Sequence, residues 1–291
     1  MRIFAIGIVK DERDVIGYTL EAALEWADAI HIVDNGSTDG TLDVLAGMRS
    51  DHPHRISFHQ TTAPYTNALR TEAVDHLYAG AAAGDWWGLL DADEIYLDSP
   101  RTFLSGVSSA CGIVQSASIQ FYLTEHDLNA GVLTQTWSPE DSRYCLMNWS
   151  EARFVRHQTG VPWTDKWPDN TDQLTVCPDR IRLLHYQFRT PAQTQRRVLT
   201  RRRTTDGFRH EKREVWTQRG ISPSDIMFTG IDLPEDEMWK ARVVRSDALL
   251  RYDPAAPPED TRHLPQLPGR PSLTPARIVQ GVRSRLRRLF K

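Results

Sequence analysis

Residues 85–96 read DWWGLLDADEIY: the apolar run Trp86, Trp87, Leu89 and Leu90, broken only by Gly88, gives way at once to Asp91, Asp93 and Glu94. A short run of large apolar residues is the pattern of a strand buried on both faces, as in a parallel sheet. In an open parallel sheet, ligands bind outside the carboxyl ends of the strands. Gathered carboxylates repel one another unless a cation holds them together or they face water. Two readings follow. One is a hard oxygen ligand set for Mg²⁺ or Mn²⁺, ions that bridge one or two carboxylates to substrate phosphates. The other is a solvated acidic turn that caps the next segment. The position directly after a buried strand favours the first.

The flanking sequence supports a sheet. Residues 2–9, RIFAIGIV, form a second continuous apolar run. After the charged turn KDERD, Ile16, Leu20, Ala23, Leu24 and Ala27 recur at helical spacing. AIHIVD (29–34) is the next strand, closed by Asp34 and the turn-rich NGSTDGT. TLDVLAGMRSD (41–51) predicts a helix, RISFHQ (55–60) a strand and NALRTEAVDHLYAGAAA (67–83) a helix. This alternation predicts an α/β protein: an open twisted sheet, mostly parallel, with helices on both faces. Beyond residue 100 the pattern loosens. GIVQSASIQFYL, ARFVRHQ and RIRLLHYQF read as strands, and 191–219 as a charged helical stretch that includes Arg201, Arg202 and Arg203.

With 291 residues the chain has room for one large domain with an appendage. The expected division is a main domain over 1–220, with a nucleotide-binding half to residue 100 and an acceptor half from 101. A helical extension over 221–252, a linker over 253–274 and a basic amphipathic helix over 275–291 follow. Residues 253–275 hold seven prolines, the composition of a linker. The last segment carries six basic residues and no acid, so the rest of the chain bears −9 of the overall −3. Ile278, Val279, Val282, Leu286, Leu289 and Phe290 share one face, with arginines on the other, a pattern suited to the surface of a membrane or to docking on the chain's own domain. No stretch reaches the roughly 20 apolar residues of a membrane-spanning helix, and the short N-terminal apolar run reads as a strand rather than a leader. The expected location is the cytoplasm, at the inner face of the membrane where the tail docks. The net charge of −3 argues against a dedicated nucleic-acid binder. Three scattered cysteines make neither a disulfide framework nor a metal spacing. Nine tryptophans suit either core packing or stacking on sugar rings.

The stretch VKDERDVIGYTLEAALEWADAIHIVDNGSTDGT, followed by GDWWGLLDADEIY, resembles a family 2 type glycosyltransferase of the GT-A fold, in the small soluble branch with a DADE motif. The resemblance is specific over residues 1–100, weaker to 190 and absent beyond about 220. It implies a metal-dependent transfer of a sugar from a nucleoside-diphosphate donor, UDP-sugar being the commonest, to a hydroxyl acceptor with inversion. A cell-surface glycan or glycolipid would be a fitting acceptor. It implies that Val9, Lys10, Glu12 and Asp34 line the base and ribose pocket, that Asp91 faces the ribose or the metal, and that Asp93 holds the metal. It sets Arg70 near the pyrophosphate, with a solvated helix position as the alternative. It makes His185, after the apolar run RIRLLHYQF, a further metal ligand, with a structural histidine as the alternative. The attacking hydroxyl needs a carboxylate base. Asp165, between Trp163 and Trp167, is favoured, with Glu151 as the other candidate; Asp169, Asp172 and the Glu140–Asp141 pair lie in the same region. Two other functions compete: a sugar nucleotidyltransferase, disfavoured because KDERD replaces a Gly-rich basic loop, and a non-enzymatic module binding anionic lipid or nucleic acid.

Overall fold

The computed structural model describes residues 1–129, 137–202, 217, 219–228, 232–259 and 264, without the side chains of 129, 201 and 202. The amino-terminal third alternates as the sequence predicts: β1 (Ile3–Val9), α1 (Ile16–Leu24), β2 (Ala29–Asp34), α2 (Thr41–Asp51), β3 (Ile56–Gln60), α3 (Leu69–Tyr78) and β4 (Trp86–Leu89). There follow β5 (Glu94–Tyr96), α4 (Pro100–Gly106), β6 (Ile113–Phe121), β7 (Leu123–Thr124), α5 (Glu125–Asn129), β8 (Tyr144–Trp149), β9 (Ala152–Arg156), β10 (Val176–His185), α6 (Pro191–Arg202), β11 (Val243–Val244) and β12 (Leu250–Arg251).

The main sheet runs β12-β8-β6-β9-β4-β1-β2-β3, with β10 joined to both β6 and β5. It is mixed, not mostly parallel. The pairs β4–β1, β1–β2, β2–β3 and β6–β10 are parallel, whereas β4–β9, β9–β6, β6–β8, β8–β12 and β5–β10 are antiparallel. The β-α-β crossovers that force parallel pairing end at β4, and short connections such as Ser150–Glu151 between β8 and β9 replace them. The strand expected over 85–96 is two strands, because the chain turns through Asp91–Asp93 and Glu94 starts a new pairing with β10.

Gly7 allows this turn. A Cβ there would overlap the carbonyl oxygen of Leu90, and Leu90 N–H donates to the Ile6 carbonyl at 2.9 Å. The chain leaving β4 therefore lies directly against β1. Trp26, Trp86 and Phe154 pack in the core on one side of the sheet, and Phe4, Trp87 and Trp163 on the other. Among the described tryptophans, these four and Trp137 serve the core rather than an open sugar platform.

The segment 221–252, expected as a helical extension, holds 3-10 turns and two short strands instead. β12 pairs with β8, and the Tyr252 ring meets Phe121 edge-on at 5.1 Å. It completes the sheet edge because β8 would otherwise leave its backbone groups unpaired. The predicted basic helix over 275–291, the arginine at 203 and most of the proline-rich linker lie outside the described residues. Among the described residues, no helix is long and apolar enough to cross a membrane.

Candidate active site

Three chain ends converge on one rim of the sheet. The loops after β1 and β2 lock together through local chemistry. Asp11 N–H donates to Ser37 Oγ at 2.9 Å, Glu12 N–H to Thr41 Oγ1 at 2.9 Å, and Thr38 N–H to Asp11 Oδ1 at 2.7 Å. Asp11 takes a left-handed φ of 54° to do so, a conformation that Asp tolerates better than most residues. Asp34, fully buried, accepts at Oδ1 from the backbone of Gly36 (3.1 Å) and Ser37 (3.0 Å) and from Gln60 Nε2 (3.4 Å). Its Oδ2 is sealed from solvent with no partner among the described residues. An orphaned buried carboxylate oxygen is costly and marks a place where a ligand donor fits. Beside it, the Val9 carbonyl accepts from Asn35 N–H at 2.8 Å, and Lys10 is exposed.

The acidic turn is held by cations from other elements. Asp91 Oδ1 pairs with Arg70 of α3 at 3.1 Å and Oδ2 with Arg153 of β9 at 2.9 Å. Arg70 is buried, so it is a structural partner of Asp91 rather than a solvated helix residue. Burial would raise the Asp91 pKa, but Arg153 and then Arg70 outweigh it and hold the carboxyl below its ordinary range. Arg153 also bonds Glu94 and, at 2.8 Å, Glu151. Glu94, sealed beside three other acids, is pushed well above the usual range by burial despite Arg153.

Asp93 and His185 meet because β10 runs antiparallel to β5, which places His185 opposite Glu94. Tyr186 N–H donates to the Asp93 carbonyl at 2.8 Å, and His185 Nε2 lies 3.3 Å from Asp93 Oδ2. Arg197 of α6 reaches the same oxygen at 2.9 Å, with Arg189 at 4.0 Å. Burial would raise the Asp93 pKa, but His185 and then Arg197 and Arg189 hold it well below the usual range. Burial lowers the His185 pKa, and Asp93 opposes that shift. Gln120 stands 2.9 Å from His185 Nδ1. The Gln120 amide nitrogen donates there, so Nδ1 accepts and Nε2–H faces Asp93 Oδ2.

The structure thus brings Asp93 and His185 together but not the full predicted ligand set. Asp91 is engaged by two arginines, and among the described residues no three His, Cys, Asp or Glu side chains are grouped to hold a metal. A carboxylate oxygen and an imidazole nitrogen side by side do suit a divalent ion whose remaining ligands are phosphate oxygens and water.

The two candidate bases differ. Glu151 is clamped by Arg153, by Lys166 at 2.9 Å and by Trp149 Nε1 at 3.2 Å. Burial pushes its pKa up, but Arg153 and Lys166 pull it far below the ordinary range, which makes it a poor proton acceptor. Asp165 is exposed and has no partner among the described residues, one residue from Lys166. Glu12, expected to face the nucleotide, is bound to Arg189, with Arg197 at 3.9 Å. Sequence reading missed Arg153, Arg189, Arg197 and Gln120. Their one signal was a charged or polar residue inside an apolar run, as in ARFVRH and HYQFRT.

Residues 5–101 match the family model described as Glycosyl transferase family 2. The match covers the amino-terminal third of the chain. The family 2 match ends just past the acidic turn, so it spans β1 to the start of α4. No curated protein matches the chain. Among solved structures, the mannosyltransferase PcManGT from Pyrobaculum calidifontis, in complex with GDP-Man and Mn²⁺, is similar at 14% identity and a TM-score of 0.40, over 72% of this chain and 63% of that one. S. aureus TarS 1–349 is similar at 13% identity and 0.36, over 69% and 64%. Glucosyl-3-phosphoglycerate synthase from Mycobacterium tuberculosis, in complex with Mn²⁺, UDP and phosphoglyceric acid, is similar at 17% identity and 0.27, over 45% and 49%. The chain spans less than two thirds of the length of each of these three.

Proposed function

We propose that the protein is a metal-dependent glycosyltransferase that moves a sugar from a nucleoside-diphosphate donor, UDP-sugar first among them, to a hydroxyl acceptor with inversion. The observation that carries this reading is the pairing of two different acids on one rim of a region that matches family 2: Asp34 with a sealed oxygen that has no partner among the described residues, and Asp93 with its Oδ2 3.3 Å from His185 Nε2. Asp34 Oδ2 would accept from an N–H of the base or a hydroxyl of the ribose. Asp93 and His185 would hold Mn²⁺ or Mg²⁺, which when bound offsets the charge that develops on the departing diphosphate.

The remaining work falls to side chains. Arg70 and Arg153 keep Asp91 ionised and fixed, so that it can orient the ribose or a water on the metal. Glu151 positions Arg153 and Lys166. Asp165, at the rim and unpaired among the described residues, is the proposed general base that takes the acceptor's proton as the hydroxyl attacks opposite the leaving group. A role in cell-surface glycan synthesis with peripheral membrane contact through 275–291 follows from the sequence of the tail. Calorimetric titration of UDP, GDP, CDP and dTDP, with and without Mn²⁺, tests the reading. One nucleotide should bind with Mn²⁺ and lose that dependence in Asp93→Asn; no binding of any nucleotide would overturn it.

A further inference from the structure

Two arginines at the site have more donors than acceptors. Arg197 spends Nη1 on Asp93, and Arg219 lies with its guanidinium 4.2 Å from the centre of the Trp149 ring. In both, Nε is buried and has no acceptor among the described residues. Arg219 forms no ion pair among the described residues, yet its backbone is pinned: Asn148 Nδ2 donates to its carbonyl at 2.8 Å and to Tyr122 Oη at 2.7 Å. The stacked ring is pinned as well, since Trp149 Nε1 donates to Glu151 at 3.2 Å and Glu151 pairs with Arg153, the partner of Asp91. Burial lowers the Arg219 pKa, Tyr122 and Glu151 oppose it, and the positive charge of Arg197 adds to the lowering. A guanidinium with a buried spare donor and no acid partner among the described residues is stabilised by an anion. A guanidinium lying flat on an aromatic ring keeps its N–H edge free for a phosphate or carboxylate.

We propose that Arg219, stacked on Trp149, is an anion-binding subsite for a phosphate or carboxylate group of the acceptor. Four strands of the sheet stand between β8, which ends at Trp149, and β2, which ends at Asp34, so the subsite lies apart from the proposed base and ribose end. The word acceptor rests on the glycosyltransferase reading; the anion site itself does not. A neutral acceptor would leave the cation without a counter-charge among the described residues.

Calorimetry of inorganic phosphate into the full chain tests this, alone and with UDP and Mg²⁺ at saturation. Phosphate should bind in both states. Arg219→Gln should weaken it about tenfold, the scale of one charge-assisted contact, while UDP affinity holds. Arg219→Lys should retain part of the binding, and Trp149→Phe most of it. Equal loss of UDP affinity in Arg219→Gln, with phosphate excluded by UDP, would assign the residue to the donor diphosphate and overturn the proposal. So would phosphate affinity indifferent to residue 219. If Arg219→Gln melts early, the Arg219→Lys and Trp149→Phe pair decides by the same criterion. Failure of every nucleotide to bind would sink the glycosyltransferase reading, while the titration into the protein alone still judges the anion site.

Discussion

Asp34 and Asp93 both follow strands of the same sheet and are both buried, yet they are held by opposite means. Asp34 is satisfied by backbone two and three residues away. Asp93 is satisfied by an arginine 104 residues away and a histidine on β10. The first is a loop whose chemistry is written into NGSTDGT itself. The second exists only after β9, β10 and α6 have docked. Local satisfaction should tolerate single changes, whereas the acidic turn should not tolerate loss of Arg153, the cation that Asp91, Glu94 and Glu151 share.

Removing Arg153 is the hardest test of that contrast. It is almost fully buried and pairs with Asp91, Glu94 and Glu151. Arg153→Met should cost about 3–5 kcal/mol in denaturant unfolding, because the buried Glu94 and the half-buried Asp91 and Glu151 lose their shared cation. A loss below about 1 kcal/mol, the scale of an exposed pair, would show that the turn does not depend on it.

Gly7→Ala should cost roughly 1–3 kcal/mol, since its Cβ would meet the Leu90 carbonyl backbone that carries the acidic turn. If the melting temperature is unchanged, the close approach of the two strands is not what fixes the turn.

A third prediction concerns acid, on the β2 side of the comparison. His31, buried among His59 and His76, has its pKa lowered to about 3 by burial first and then by His76 and His59. The unfolded chain takes up this proton near pH 6.5 and the folded chain refuses it until about 3. Stability should therefore fall as pH drops from about 6.5 towards 3, by at most ~1.4 kcal/mol per pH unit from this residue. His31→Asn should flatten the stability curve in that window; an unchanged slope would mean that other groups carry the acid response.

Ser37→Ala removes one local bond, the acceptor for Asp11 N–H, and should cost about 1 kcal/mol. The smallest stability change is expected at Arg197, which is partly exposed and shares the oxygen of Asp93 that faces His185. Arg197→Gln should shift stability by less than about 1 kcal/mol yet strengthen Mn²⁺ binding in the absence of nucleotide, read by paramagnetic resonance. Weaker Mn²⁺ binding would mean that Arg197 supports the ion rather than competing with it.

The same contrast separates what was legible in the sequence from what was not. α2 occupies residues 41–51 as its periodicity predicts, and β1, β2 and β4 fall on the apolar runs. The acids at the strand ends were visible because a charge that ends a buried run is a local signal. The split of 85–96 into two strands and the antiparallel half of the sheet were not, because they depend on pairing with β9 and β10. Arg70 read equally well as a surface residue, and only the packing of α3 against the sheet turned it inward.

By itself, then, the sequence determined the elements of the first hundred residues, the two acidic strand ends and the family they resemble, since strand periodicity and turn chemistry act over a few residues. Only the tertiary structure decided which cation faces which acid, that Asp93 rather than Asp91 stands beside His185, and that Glu151 is spent on Arg153 and Lys166. Electrostatic pairing depends on distance in space and on burial, and neither can be read from separation along the chain.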